Sequence, residues 1–236
     1  MKIKFFTIPN LLTLSNLLCG CLAAVWALAG GGDVRTPYLF IAAGALFDFC
    51  DGAAARLLRC PSPLGVQLDS LADMVSFGVA PAAILYTLLG RAGGLWEWSS
   101  APAVRCAVFV LAAFSALRLA RFNIDDSQHE EFRGLPTPAC AVFFASAAWS
   151  GLLSGVPREG LLLLAGLFSW LLISPVRMFS LKFRSLRFAD NRLRFIFLAA
   201  AAALLLLLGP GRGVAAAIGL YIAVSAVRHV AARPRD

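Results

Sequence analysis

Long apolar runs separated by short polar turns dominate the chain. The first, LLTLSNLLCGCLAAVWALAG from Leu11 to Gly30, follows a basic and aromatic lead-in, MKIKFF. It exceeds the roughly 7 to 15 apolar residues of a signal peptide and contains Thr13 and Asn16, so it reads as an uncleaved first span. Further runs follow at 37–57, 67–89, 103–121, 138–154, 159–176, 194–209 and 213–231. Each approaches the roughly 20 residues that carry a helix across a bilayer. The pattern predicts an all-α, polytopic membrane helix bundle of about eight spans in one integral domain, 1–236. Only SGVPREG separates the fifth run from the sixth, so six to eight crossings fit the pattern.

Composition agrees. Of 236 residues, 60% are hydrophobic and 14% charged, far from the make-up of a soluble domain or a disordered chain. Net charge is +8, but the basic residues sit between apolar runs without aromatic interleaving, which argues against a nucleic-acid partner. With eight spans and the amino terminus inside, sixteen of the 21 lysines and arginines fall on the cytoplasmic side and five (Arg35, Arg91, Arg105, Arg158 and Arg212) on the other. That asymmetry is what positive-inside insertion requires, and it places both termini on the cytoplasmic side of a cytoplasmic membrane. Six of the sixteen lie between Arg177 and Arg194, a segment expected to face anionic lipid. Cysteines 19, 21, 50, 60, 106 and 140 form no C-x-x-C pair, so they read as small apolar residues.

Four carboxylates stand at the ends of two apolar helices, where an unpartnered charge costs about 3 kcal/mol or more. Asp48 and Asp51 are spaced i, i+3, and Asp69 and Asp73 i, i+4, so each pair shares one helix face. Prolines 61 and 63, Ser62 and Gly65 in RLLRCPSPLG permit a tight antiparallel return that brings the two faces together. Such a cup repels itself unless cations fill it. Hard oxygen ligands suit magnesium or manganese, with calcium a third candidate, and four of them suit two ions. Gly44, Asp48, Asp51, Gly52 and Ala55 form a stripe of small or acidic residues that a bulky planar group can approach. Arg56 beyond it is suited to phosphate. Metal and arginine together describe a site for a diphosphate.

DFCDGAAAR (48–56) followed by GVQLDSLAD (65–73) resembles the signature of the CDP-alcohol phosphotransferase family at Asp48, Asp51, Gly52, Ala55, Arg56, Gly65, Asp69 and Asp73. The resemblance implies a homodimer of helical bundles in which Asp48 and Asp69 touch both of two metals, Asp51 holds one, and Asp73 holds the other while acting as general base. It further implies that Thr13, Asn16, Gly52, Ala55, Arg56, Ser62 and Gly65 contact CDP-diacylglycerol. On this reading 1–125 is the catalytic core, and 126–236 supplies acceptor-side and supporting helices.

SLADMVSFGVAP (70–81), LRLARFN (117–123), GLPTPA (134–139) and SPVRM (174–178) are similar to the phosphatidylserine synthase branch, which implies L-serine as the acceptor and CMP as leaving group. Arg118 or Arg121 could pair the serine carboxylate, with Asn123 adding a hydrogen bond; positive-inside anchoring explains the same arginines without a ligand. Glycerol 3-phosphate or an inositol phosphate would instead need a second phosphate site, which the basic segment 177–194 could supply. Neither His129 nor His229 opens an H-x-K motif, so a phosphohistidine intermediate has no support. An ion or proton path predicts acids spread across depth, whereas these four cluster at one end.

Overall fold

The computed structural model describes residues 5–125, 132–179 and 188–231. Among them nearly everything is helix: α1 (Ile8–Ala29), α2 (Arg35–Leu57), α3 (Pro63–Asp73), α4 (Ala80–Arg91), α5 (Pro102–Cys106), α6 (Val110–Ile124), α7 (Thr137–Trp149), α8 (Arg158–Ile173) and α9 (Phe188–Ala231). A π-helical turn, Met74–Val79, joins α3 to α4 without a break, and short 3₁₀ turns flank α5. The only strands among the described residues are β1 (Phe132–Arg133) and β2 (Arg177–Met178), paired antiparallel. The protein is a multi-pass membrane helix bundle, as its hydropathy predicts.

Each of the eight apolar runs is helical over most of its length. Five helical stretches among the described residues are long and apolar enough to cross a membrane: Ile8–Ala29, Arg35–Leu57, Pro63–Arg91, Pro102–Ile124 and Asn191–Ala231. The last holds 41 residues because it contains two predicted spans. Gly209 takes a φ of 75° before Pro210, and a Cβ on Gly213 would fall 2.7 Å from the Cα of Leu205. The chain therefore doubles back there, a reversal that proline favours by breaking the helix and glycine's positive φ allows. α7, with 13 residues, and α8, with 16, are shorter than a full crossing. The interior of the basic segment, 180–187, and most of the acidic loop, 126–131, lie outside the described residues.

Side chains at helical spacing make the packing faces. On α1 the buried set Pro9, Asn10, Thr13, Asn16, Cys19, Gly20, Ala23 and Ala27 repeats every three or four residues. Small residues permit close crossings: a Cβ on Gly20 would lie 2.6 Å from the Ser76 Cα. Phe143, Phe144 and Phe168 cluster where α7 meets α8, with centroids 4.5–5.5 Å apart. Phe179, Phe197 and Tyr221 form a second aromatic cluster.

The helix ends sort into two groups. At one end, Arg91 donates to the Gly32 carbonyl, Arg158 Nε to the Leu89 carbonyl, and Tyr38 stacks on Trp149. Arg105 lies against Gly90, and Gly211 lies against Ser150 at the tip of the α9 reversal. Arg35, Arg91, Arg105, Arg158 and Arg212, the five arginines that the sequence sets apart, are thus gathered at this end. Asp33 there accepts backbone N–H bonds from Arg35 and Thr36; the Thr36 side chain and these donors hold its carboxyl below the ordinary value. All four intramembrane aspartates lie at the opposite end.

Candidate active site

α2 ends and α3 begins at that opposite end. After Leu57 the chain turns through Arg59, the one non-glycine residue with positive φ (50°) among those described. The Cys60 N–H bonds back to the Ala55 carbonyl at 3.1 Å, and Ser62 caps α3 by accepting the Gly65 N–H at 3.0 Å. Proline follows at the first helical position, where no N–H is missed. This turn brings the two acidic faces together, as the motif spacing predicts.

Asp48, Asp51 and Asp69 each offer a carboxylate oxygen, and these oxygens lie within 4.8 Å of one another. Asp51 is buried, and its Oδ2 accepts the Thr13 hydroxyl at 2.6 Å. Asp69 Oδ1 is buried with no hydrogen-bond partner. An acceptor left so is costly unless something absent from the protein satisfies it. Three convergent hard oxygens with one orphaned acceptor fit a divalent cation well. They fit a soft-metal or redox centre poorly.

Asp73 stands outside this set of three. It is buried, and its Oδ1 accepts the Asn16 Nδ2–H at 3.0 Å. It still feels the charges of Asp48, Asp51 and Asp69 on one side and of Arg118 on the other. Of the predicted cup of four, Asp48, Asp51 and Asp69 converge most closely, and Asp73 is held by Asn16 of α1.

A cleft opens beside the three. Thr13, Asp51, Gly52, Ala55, Ser62, Gly65 and Asp69 line it, together with Pro9, Asn10, Cys60, Pro61 and Val66. Five of the seven residues expected to contact CDP-diacylglycerol are there. Arg56 stands at its margin, with its guanidinium beside Gly52: a Cβ on that glycine would lie 3.6 Å from Nη1. Asn16 does not line the cleft; about one and two-thirds turns beyond Asn10, it reaches Asp73 instead. Asn10 is the residue that the sequence reading did not assign to this site. It is buried, and its spacing with Thr13 and Asn16 (10, 13, 16) is the helical signal that could have found it.

Of the proposed acceptor residues, two come to the site and one does not. The Arg118 Nη1 donates to the Thr137 hydroxyl at 3.3 Å, linking α6 to the start of α7. Asn123 Nδ2 donates to Ser70 Oγ at 2.8 Å, tying the end of α6 to α3 between the two acidic positions. Arg121 is exposed on the outer face of α6. Positions 118 and 121 lie only about 60° apart around the helix, yet Arg118 is the one whose charge acts on Asp73.

A family model described as CDP-alcohol phosphatidyltransferase matches residues 6–174, which contain every residue of the site. Three curated relatives carry the name CDP-diacylglycerol–serine O-phosphatidyltransferase. The Bacillus subtilis protein is 34% identical over 173 residues, which cover 72% of this chain and 88% of that one. A Helicobacter pylori protein is 37% identical over 139 residues (58% and 55% of the two chains). The Saccharomyces cerevisiae protein is 37% identical over 125 residues (49% and 42%). The chain thus spans most of the Bacillus relative and about half of the other two.

Proposed function

The chain belongs to the CDP-alcohol phosphatidyltransferase family, and from that premise we propose that it transfers the phosphatidyl group of CDP-diacylglycerol to the hydroxyl of L-serine, giving phosphatidylserine and CMP. The observation that carries the acceptor is that relatives named for serine transfer match from bacteria to yeast. Asp48, Asp51 and Asp69 would hold divalent metal, read as two magnesium or manganese ions with Asp73 completing the set. When bound, these ions supply neutralisation of the diphosphate and of the charge that develops on the departing CMP oxygen.

The protein's own groups do the rest. Thr13 fixes the Asp51 carboxylate through their 2.6 Å contact. Gly52, Ala55 and Gly65 leave room for the nucleotide to lie against the helix backbones, and Arg56 at the margin faces phosphate. Arg118 pairs with the serine carboxylate and Asn123 orients the same molecule. Asp73, between Arg118 and the metal-binding carboxylates, accepts the proton of the serine hydroxyl. The hydroxyl oxygen forms a bond to the β-phosphorus, and the bond from that phosphorus to the CMP oxygen breaks. We read residues 1–125 as the catalytic core and the later helices as support, in a homodimer whose active site faces the cytoplasmic side of the cytoplasmic membrane.

The deciding assay measures CMP release from CDP-diacylglycerol by purified protein with magnesium or manganese, comparing L-serine, glycerol 3-phosphate and inositol phosphate. Serine-dependent release, lost on chelation, is expected. Release with a phosphorylated acceptor alone would keep the family and retire serine. No release with any acceptor from folded protein would favour an ion or proton path instead.

A further inference from the structure

Asn16 is fully buried, yet it is the deepest polar residue of α1 and lies off the nucleotide cleft. Its Nδ2 donates to Asp73 Oδ1 at 3.0 Å, while its Oδ1 has no hydrogen-bond partner. A carboxylate only accepts, so the partner itself sets which way the amide faces. The main chain is pinned as well: Ser76 Oγ, from the π-helical turn after Asp73, donates to the Asn16 carbonyl at 2.8 Å. On the far side the amide abuts α2 at Gly44, where an added Cβ would sit 2.9 Å from Asn16 Oδ1. Three elements thus hold one amide against one oxygen of one carboxylate.

We infer that Asn16 is a positioning residue for Asp73, engaging Oδ1 so that Oδ2 is left to meet the acceptor hydroxyl, and that it is not a contact of the donor nucleotide. The inference rests on Asp73 as the proton acceptor of the proposed transfer. A buried amide that leaves its own carbonyl unsatisfied is a poor structural choice, since such a group destabilises the fold. Its retained donor bond to Asp73 gives it a use. Gly44 belongs to the same device, because any side chain there would push the amide off its partner.

The test separates turnover from binding. Asn16→Ala is expected to lower kcat by about 30- to 100-fold, the scale of a misplaced reacting group. The KM values for both substrates should stay within about twofold. Calorimetric binding of CDP-diacylglycerol to the magnesium-loaded protein in detergent should be unchanged. In an Asp73→Asn background, adding Asn16→Ala should cost nothing further, because a group that acts through another is silent once that other is gone. Should Asn16→Ala fold poorly, Gly44→Ala serves, since alanine favours helix: the same kcat-only loss is expected with Asn16 intact. A weakened affinity for CDP-diacylglycerol with kcat preserved would overturn the inference, as would a full additional loss in the Asp73→Asn background. Failure of the underlying reading looks different: Asp73→Asn would itself retain wild-type turnover with the acceptor that the wild type uses.

Discussion

Buried acids occur at both ends of this bundle, and they are treated in opposite ways. At the end away from the site, Glu159 is 6% exposed, much like Asp51 at 6% and Asp73 at 7%. Its two oxygens take the N–H groups of Leu95 at 2.9 and 3.1 Å and that of Trp96 at 3.2 Å. Asp33, exposed at the same end, is likewise met by donors within three residues of itself. At the other end Asp48, Asp51 and Asp69 converge on one another, and Asp69 Oδ1 meets no donor at all. An acid answered by backbone N–H groups organises the chain around itself. Acids that converge on one another, one of them with a buried oxygen that no donor reaches, are organised around something that the chain does not supply.

That contrast predicts opposite signs for the same chemical change. Asp69→Asn should lower kcat/KM for CMP release by about 10²- to 10³-fold, the scale on which removing one stabiliser of transition-state charge is felt. In metal-free protein, however, the same change removes a like charge from a crowded site, so the thermal midpoint in detergent with chelator should rise. Magnesium should then raise the midpoint of the wild type more than that of the variant, because only the intact carboxylate set binds it fully. A fall in the metal-free midpoint would place Asp69 with Glu159, as a structural acid, and break the comparison.

Arg118 sharpens the same boundary from the cationic side. It bonds to Thr137, and its charge acts on Asp73, so it stands between scaffold and site. Arg118→Ala should raise the KM for serine about tenfold, the loss of one charge-assisted hydrogen bond, with little change in the KM for CDP-diacylglycerol. Arg121→Ala, on the exposed face of the same helix, should change neither. Equal effects of the two substitutions would reduce Arg118 to a positive-inside anchor.

Most of this architecture was legible in the sequence because a bilayer leaves little choice: apolar runs of span length must be helices, and the charge asymmetry sorts their ends. The eight runs, the five arginines gathered at one end and the acidic faces joined by CPSP all come from local pattern. Local pattern does not contain the direction of a side chain relative to other helices. Asn16 and Thr13 are three residues apart, yet one meets Asp73 and the other Asp51. Asp73 is likewise engaged by Asn16 of α1, a partner that the spacing along its own helix does not reveal. Arg118 and Arg121 are equivalent in sequence and distinct only once α6 is packed. The clamp around Glu159 was invisible for the same reason, since its donors lie 63 and 64 residues away in the chain.

The smallest expected effect falls on that clamp, and it is the sharpest control. Glu159 holds a loop in which the Arg158 N–H bonds to the Gly93 carbonyl at 2.9 Å and in which Gly94 is packed against Ser99, Arg158 and Glu159. Glu159→Gln keeps the shape but exchanges one acceptor oxygen for an NH₂ group, which then faces backbone N–H donors or must turn away from them. The thermal midpoint should fall by a few degrees, with or without magnesium, and kcat and both KM values per folded molecule should stay within about twofold of wild type. The loop presents Trp96 and Trp98 outward, stacked with centroids 6.2 Å apart, so its loosening is open to fluorescence on the same samples. A magnesium-induced rise in midpoint that differs from the wild type's, or a loss of turnover, would mean that the two ends are energetically coupled. The difference between a satisfied acid and a converging one would then cease to separate scaffold from site.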